Sequence, residues 1–415
     1  MTFLIIISIL LLLLITGTPI SIALGMTVLV FLLGFSTFSM DTVNIISQRL
    51  FTGLESYAIM AVPFFVLSGQ FLIDGKIAKR IIRFANNVVG WMPGGMAMAA
   101  VLASAFFATI SGSSPATVMA IGSVMLPAMV AAGYPKRFGV GVIATAGSLG
   151  ILIPPSIVMI IYAVATSESA GKLFIAGIVP GFLLALIMMS LVYVQAKRHG
   201  FPTQPKPTAR EFWESFRDAW WGMFLVVIII GGIYGGIFTP TEAAAVAAVY
   251  AFVAAMFIYR DLKWKEVPKV LLSAANTSAM LLYIITNAIL FSFLMTTEQI
   301  PQAMSTWVVA QNLEPWMFLL VVNLVLILAP LFLPIAKTLG IDPIHLGIIM
   351  VVNMEIGMIH PPVGLNLFVA SHLAKMGLTE VSIATLPWVG VMLLYLGLIT
   401  YVPEISMWLP NLLYK

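Results

Sequence analysis

Twice in this sequence a long apolar run is broken by the same device. "SLGILIPPSIVMIIYA" at 148–163 and "EIGMIHPPVGLNLFVA" at 355–370 each place adjacent prolines four residues after a glycine. Gly150 precedes Pro154 and Pro155; Gly357 precedes Pro361 and Pro362. Proline has no N–H and clashes with the preceding turn, so a helix carrying this pair must open there. An unsatisfied backbone group in hydrocarbon costs on the order of several kcal/mol, so the opened backbone has to be buried in protein or face something polar. A single pair reads equally well as a kink repaired by a neighbouring Ser or Thr. Two pairs, symmetrically placed beside glycine and polar residues, read as discontinuous helices. Their freed carbonyls suit a cation, and their half-helix N-termini suit an anion.

The solvent of this chain is hydrocarbon. Of its 415 residues 61% are hydrophobic and 9% charged, where soluble domains carry about 25% charged residues. Apolar runs near spanning length recur from end to end, so the chain is expected to cross a membrane many times. The opening "MTFLIIISILLLLLITGTP" has neither a basic first region nor a small-residue cleavage site and reads as a first span. There are no cysteines, which excludes disulfides, thiolate metal sites and a Cys nucleophile. The net charge of +4 comes from Lys and Arg in short loops, a pattern that sets orientation in a membrane rather than binding nucleic acid. Four scattered histidines offer no metal-ligand spacing.

The halves are copies of each other. At an offset of 207, Pro127 pairs with Pro334, Gly133 with Gly340, and each Gly-x-x-x-Pro-Pro with the other. Earlier, at an offset of 221, Thr18-Pro19 pairs with Thr239-Pro240. Basic residues then reveal how the copies are related. The first has Lys76, Lys79, Arg80 and Arg83, then Lys136 and Arg137, then Lys197 and Arg198; the equivalent places in the second carry no Lys or Arg. Conversely Arg260, Lys263, Lys265 and Lys269 fall opposite a stretch with one Arg. Equivalent loops therefore belong on opposite faces, which makes the copies inverted-topology repeats.

The expected fold is an all-α polytopic membrane protein of about ten transmembrane helices, five per repeat, plus re-entrant hairpins. The first repeat, 1–198, holds scaffold helices over 1–73 (spans near 2–16, 19–37 and 53–73), an arm helix at 76–92, a hairpin at 95–131, a broken helix at 138–165 and a helix at 172–195. A cytoplasmic linker at 199–218 ends in an amphipathic helix. The second repeat, 219–415, holds scaffold helices over 219–294 (spans near 219–238, 241–259 and 270–294), an arm at 298–314, a hairpin region at 316–334, a broken helix at 345–370 and a helix at 381–402. Ten crossings put both termini outside.

The hairpin assignment rests on "TISGSSPATVMAIG", 109–122. Ser111, Gly112, Ser113, Ser114 and Thr117 form a small polar tip closed by Pro115, between arms each too short to cross alone. Small-residue helix packing is the bland alternative. Other polar residues are weaker signals. Glu355 and Asn353 precede the second break; an intramembrane acid is a site by default, yet Glu355 could merely orient the loop. His360 replaces Ile153 between glycine and the proline pair, where it could line a cavity or bond the loop. Glu242 suits a helix start capped by Thr239 or Thr241. Trp and Tyr near span ends are belt residues, and the methionines are apolar filling.

The stretches "ISGSSPATVMAIGS", "GILIPPSIVMIIYA", "GGIYGGIFTPTEAAAVAAVYA" and "HPPVGLNLFVAS" resemble the large membrane subunit of tripartite ATP-independent periplasmic (TRAP) transporters, over nearly the whole chain. The resemblance implies an elevator-type, sodium-driven importer in a bacterial inner membrane, with scaffold and transport domains and no enzymatic activity. Its partners would be a small four-helix membrane subunit and a periplasmic substrate-binding protein. Its substrate would be a carboxylate, such as a sialic acid or a C4-dicarboxylate. Carried over, the first Na+ region falls on Ser111, Gly112, Ser113, Ser114, Pro115, Gly147, Gly150, Ile153, Pro154, Pro155 and Ser156. The second falls on Gly357, His360, Pro361, Pro362 and Gly364. Substrate would meet Ser113, Ser114, Thr117, Ser156 and Asn366.

One departure stands out. Pro93 to Pro127 spans 34 residues but Pro315 to Pro334 only 19, so the second hairpin falls about 15 residues short of the pattern. The match resumes at once on either side, which reads as a segment missing between Leu328 and Ala329; a chain truly this short would lose half the walls of the second Na+ site. A channel would need a continuous polar stripe, and polarity here clusters at mid-depth. A secondary anion transporter working without a binding protein is the nearest alternative. An intramembrane enzyme lacks a legible nucleophile–base spacing, and a scaffold has no use for matched breaks.

Overall fold

A computed structural model describes residues 2–35, 40–52, 54–310, 317–319, 323, 336–361 and 364–414. Among them every regular element is helical. The first copy runs α1 (Thr2–Ile15), α2 (Ile20–Phe35), α3 (Met40–Thr52), α4 (Ala61–Asp74), α5 (Ile77–Val89), α6 (Gly95–Ser111), α7 (Ser114–Ala131), α8 (Lys136–Ala146), α9 (Leu149–Leu152), α10 (Ile157–Thr166) and α11 (Ala170–His199). The second runs α12 (Ala209–Tyr234), α13 (Pro240–Val253, prolonged by a π turn over Ala254–Ile258), α14 (Val267–Thr297), α15 (Ile300–Ala310), α16 (Pro343–Ile359), α17 (Leu365–Ala374), α18 (Leu378–Tyr401) and α19 (Glu404–Leu413). Among the described residues seven helical stretches are long and apolar enough to cross a membrane, eight counting the bent pair Lys136–Leu152 and Ile157–Thr166 as one span.

The duplication is visible in what touches what. α2 packs on α14, and α4 packs on α13. Since α2 corresponds to α13 and α4 to α14, these are one contact with the roles exchanged. The same exchange relates α8 on α18 to α11 on α16.

Hydrogen bonds and ion pairs sort the loops onto two ends. At one end Arg80 pairs with Asp261, and Arg83 reaches Asp218 at 2.9 Å. There too Tyr134 donates to the Pro202 carbonyl, Gln204 N–H donates to the Gly90 carbonyl, and Arg137 meets Glu380. At the other end Thr241 donates to Tyr57 O, Tyr162 donates to Pro343 O, Lys337 pairs with Glu168, and His345 meets Ser406. The basic clusters 76–83, 136–137, 197–198 and 260–269 thus gather at one end, although they come from both copies.

Three details differ from expectation. The linker's amphipathic helix and the span after it are one continuous helix, α12, because the capping box Thr208–Glu211 starts it early and nothing interrupts it before Gly235. Helices α3 and α19 were not anticipated: α3 is too polar to read as a span, and α19 is short and carries Pro410. Finally, 311–314 of the second arm and almost all of the hairpin region 316–334, including the junction of Leu328 and Ala329, lie outside the described residues.

Candidate functional site

The hairpin α6–α7 enters and leaves at the basic end. Gly94, before α6, sits against Val192 and Ala196 of α11, and Tyr134, beyond α7, is tied to Pro202. α7 has 18 residues and is long and apolar enough to span, so the argument that neither arm could cross does not hold. What marks the pair as a hairpin is its tip, since the chain reverses at Gly112, which is buried inside the protein. Gly112 takes φ +57°, the left-handed region that favours glycine. Pro115 then stands in the first turn of α7, where a missing N–H costs nothing.

The tip is pressed against the first break. A methyl group added at Gly112 would lie 3.0 Å from the Pro155 carbonyl oxygen, and one at Gly150 would lie 2.7 Å from the Ser113 carbonyl oxygen. At Gly147 it would strike Val118. These glycines are what lets the two backbones touch. Within the tip, Thr117 Oγ1 donates to Ser113 O at 2.9 Å, and Ser111 Oγ lies 2.9 Å from Thr117 Oγ1. The break itself bends the span by 42°. Pro154 and Pro155, joined by a cis peptide bond, cannot donate to the carbonyls of Gly150 and Ile151, their helical partners four residues back. Ser156 restarts the helix as an N-cap, accepting from Met159 N–H at 3.4 Å. Ile153, Pro154, Pro155 and Ser156 are all buried.

Asn366, on α17 of the second copy, joins this cluster. Its amide meets Ser114 Oγ at 2.7 and 3.0 Å, and its Nδ2 also donates to Ala144 O at 3.0 Å. Asn366, Ser114 and Thr117 are fully buried. The structure therefore brings the whole first region together, with Asn366, in one polar knot; Ser113 and Pro115 are half-buried and the rest buried. Thr145, which sequence reasoning passed over, is buried next to Ala144 with its hydroxyl unpartnered. A threonine inside an apolar helix gives no signal until a neighbour shows where it points.

The second region is looser among the described residues. α16 ends at Ile359, and Gly364 N–H donates to His360 O at 3.0 Å before α17 begins. His360 is exposed. Pro362 lies outside the described residues. Just upstream, Asn353 donates to Asn323, which donates to Thr400, both at 2.9 Å. Glu242 is a cap, as its place suggested: it accepts from Thr239 N–H while Thr239 Oγ1 accepts from Glu242 N–H, and Thr241 turns instead to Tyr57 O. Two openings lie at the ends, away from this knot. One of about 310 Å³ is lined by Tyr57, Ser169, Thr239, Thr241 and Tyr414, the other, of about 380 Å³, by Lys136, Arg137, Lys375 and Glu380.

A bundle of apolar helices in which a buried polar hairpin tip packs against a helix broken by paired prolines fits a membrane transporter. The chain belongs to the family described as "Tripartite ATP-independent periplasmic transporter, DctM component", whose profile matches residues 7–405. It is therefore a multi-pass membrane protein from a family of transporter permeases. It is 55% identical to the C4-dicarboxylate TRAP transporter large permease protein DctM of Rhodobacter capsulatus, an alignment 441 positions long covering all of both chains. This chain has 415 residues, so the relative carries residues absent here. A sialic acid TRAP transporter large permease, SiaM of Vibrio cholerae, is 32% identical over 96% of both chains. Among solved structures, the YdaH transporter of Alcanivorax borkumensis shares the fold, with TM-score 0.59 at 15% identity over 89% of this chain and 90% of that one.

Proposed function

We propose that this chain is the large permease of a sodium-coupled importer of small dicarboxylates in a bacterial inner membrane, and not an enzyme. The observation that carries the proposal is the knot of Ser111–Pro115, Gly147–Ser156 and Asn366. It sets hydroxyls and an amide against a helix break whose two carbonyls are deprived of their helical donors. Hard oxygens of this kind suit Na+, and the N-terminus of α7 with the Ser113 and Ser114 hydroxyls suits a carboxylate. Ser113, Ser114, Thr117, Ser156 and Asn366 face the substrate; Gly357, His360, Pro361, Pro362 and Gly364 belong to the second Na+ region. The C4-dicarboxylate class is preferred to sialic acids because the relative bearing that name is far more similar than the sialic acid permease. A periplasmic binding protein delivers the substrate, and a small four-helix membrane subunit completes the transporter. The buried tip favours an elevator movement of hairpin and broken helices, because neither end opening reaches it. Both termini lie in the periplasm, since the basic end is cytoplasmic by the positive-inside tendency.

The test is uptake of radiolabelled succinate into proteoliposomes holding this chain and its small subunit. Accumulation is expected only with an inward Na+ gradient and the binding protein present, and not for sialic acid. Equal uptake without sodium sinks the coupling; equal uptake without the binding protein leaves the simpler secondary anion transporter.

A further inference from the structure

The opening of about 380 Å³ at the basic end lies where α8 and α18 begin and α17 stops, and Pro135, Lys136, Arg137, Lys375, Met376 and Glu380 line it. Lys136, Arg137 and Lys375 are exposed. Arg137 meets Glu380 at 3.2 Å, a surface pair that adds little stability and leaves other N–H groups of the guanidinium fork to be used. Among the described residues no acid pairs with Lys136 or Lys375. Three cations therefore share one cavity with a single carboxylate. Lys375 is also fixed in place. It caps α17 at φ +48°, while Ser371 Oγ donates to Met376 O at 2.6 Å and Met376 N–H donates to Ser371 O.

Like charges gathered in one cavity repel, and an anion placed among them relieves that cost. A phosphate group carries several acceptor oxygens and can bridge donors that come from separate helices. What lies beside the cavity says which phosphate. Glu380 starts an exposed stripe on α18 that continues at helical spacing through Ile383, Leu386, Leu393 and Leu394. These four are between 51% and 80% exposed, an apolar track leading away from the charges along a span. A cationic cavity at the head of an apolar track matches a molecule with an anionic head and acyl chains, and Lys and Arg at a bilayer surface attract such lipids. We infer that this opening is a site for the headgroup phosphate of an anionic phospholipid from the leaflet at the basic end, with its chains lying along α18. The site is tied to the polar knot. α8 and α17 both run from the opening to the knot, where Asn366 of α17 donates to Ala144 O of α8. A phosphate bridging Lys136 and Lys375 braces the opposite ends of the same two helices.

The test does not rest on the importer reading, since it measures binding alone. Phosphatidylglycerol labelled on an acyl chain is titrated with the purified full-length chain in neutral detergent and followed by fluorescence anisotropy. The wild type is expected to bind it more tightly than labelled phosphatidylcholine. Lys136→Gln combined with Lys375→Gln should weaken that binding by about tenfold or more, and Lys136→Arg with Lys375→Arg should keep it. Lys265→Gln with Lys269→Gln, exposed lysines at the same end but outside the opening, should leave it unchanged. Phosphatidylglycerol should also raise the thermal midpoint of the wild type, because it binds the folded state, and not that of the Lys136→Gln, Lys375→Gln chain. Undiminished affinity in that chain overturns the site. An equal loss in the Lys265→Gln, Lys269→Gln chain overturns it too, by showing that any basic surface serves. Inorganic phosphate that displaces the label as well as unlabelled phosphatidylglycerol does, at equal concentration, overturns the lipid assignment in favour of a soluble phosphate.

Discussion

The two proline breaks are nearly the same in sequence and differ in what surrounds them. The first is clamped: a methyl group at Gly150 would meet Ser113 O at 2.7 Å, whereas at Gly357 no described atom lies within 4 Å of where it would go. Ile153 is buried before its proline pair, while His360, its counterpart, is exposed. Among the described residues, then, the same interruption builds a packed polar knot in one copy and a less crowded corner in the other. Helix breaking is written locally by glycine and proline; what the break does depends on what is laid across it.

That contrast can be broken experimentally, and the largest effect is expected at Asn366. Asn366→Ala strips Ser114 Oγ and Ala144 O of a buried partner, at about 1–3 kcal/mol for each group left unpaired. Succinate uptake should fall roughly a hundredfold or more. Combining it with Ser114→Ala should add little, since the two share one interaction; additive losses would show that they act separately. Next come the glycines. Gly150→Ala should cost about 1–3 kcal/mol through overcrowding, seen as a lower thermal midpoint of the detergent-solubilised protein, with Gly357→Ala close to wild type. Equal losses would erase the proposed difference between the breaks.

Smaller effects belong to the helix starts. Thr239 caps α13 reciprocally with Glu242, whereas Thr18, its counterpart before α2, lies 3.0 Å from Thr16 instead. Thr239→Ala should lower stability by about 1 kcal/mol, and Thr18→Ala by less. The smallest effect is expected at Glu211, which begins α12 ahead of its apolar stretch. The Thr208 backbone N–H, then its hydroxyl, hold the Glu211 carboxyl below the ordinary carboxylate range. A depressed folded value contributes stability that is present above the unfolded value and disappears as pH falls through the folded one. A thermal midpoint followed from neutral pH down past the ordinary carboxylate range should therefore decline slightly, and Glu211→Gln should remove that part of the slope.

Much of this was legible because bilayers leave few options. Apolar runs, Gly-x-x-x-Pro-Pro and the segregation of Lys and Arg report on backbone chemistry and solvent, which act over a few residues. The run Ser111–Pro115 marked the hairpin tip for the same reason. The pairing of Ser114 with Asn366 could not be read so directly, because 252 residues separate them; only the family resemblance put them near one substrate. The unpartnered hydroxyl of Thr145 is, among the described residues, an absence of neighbours, and a linear sequence cannot display an absence. The continuity of α12 was missed because Trp213, Trp220 and Trp221 resemble a surface-lying helix, while the capping box at Thr208 and Glu211 carries one helix straight through.

The clasp between Ser114 and Asn366 has a consequence for ancestry. Each residue comes from a different half of a doubled gene, so neither half encloses that polar centre by itself. A precursor encoded by one half would have needed two molecules lying head to tail to complete it. Joining them into a single polypeptide freed the twins to diverge, and the unlike settings of their proline corners are what that divergence left behind.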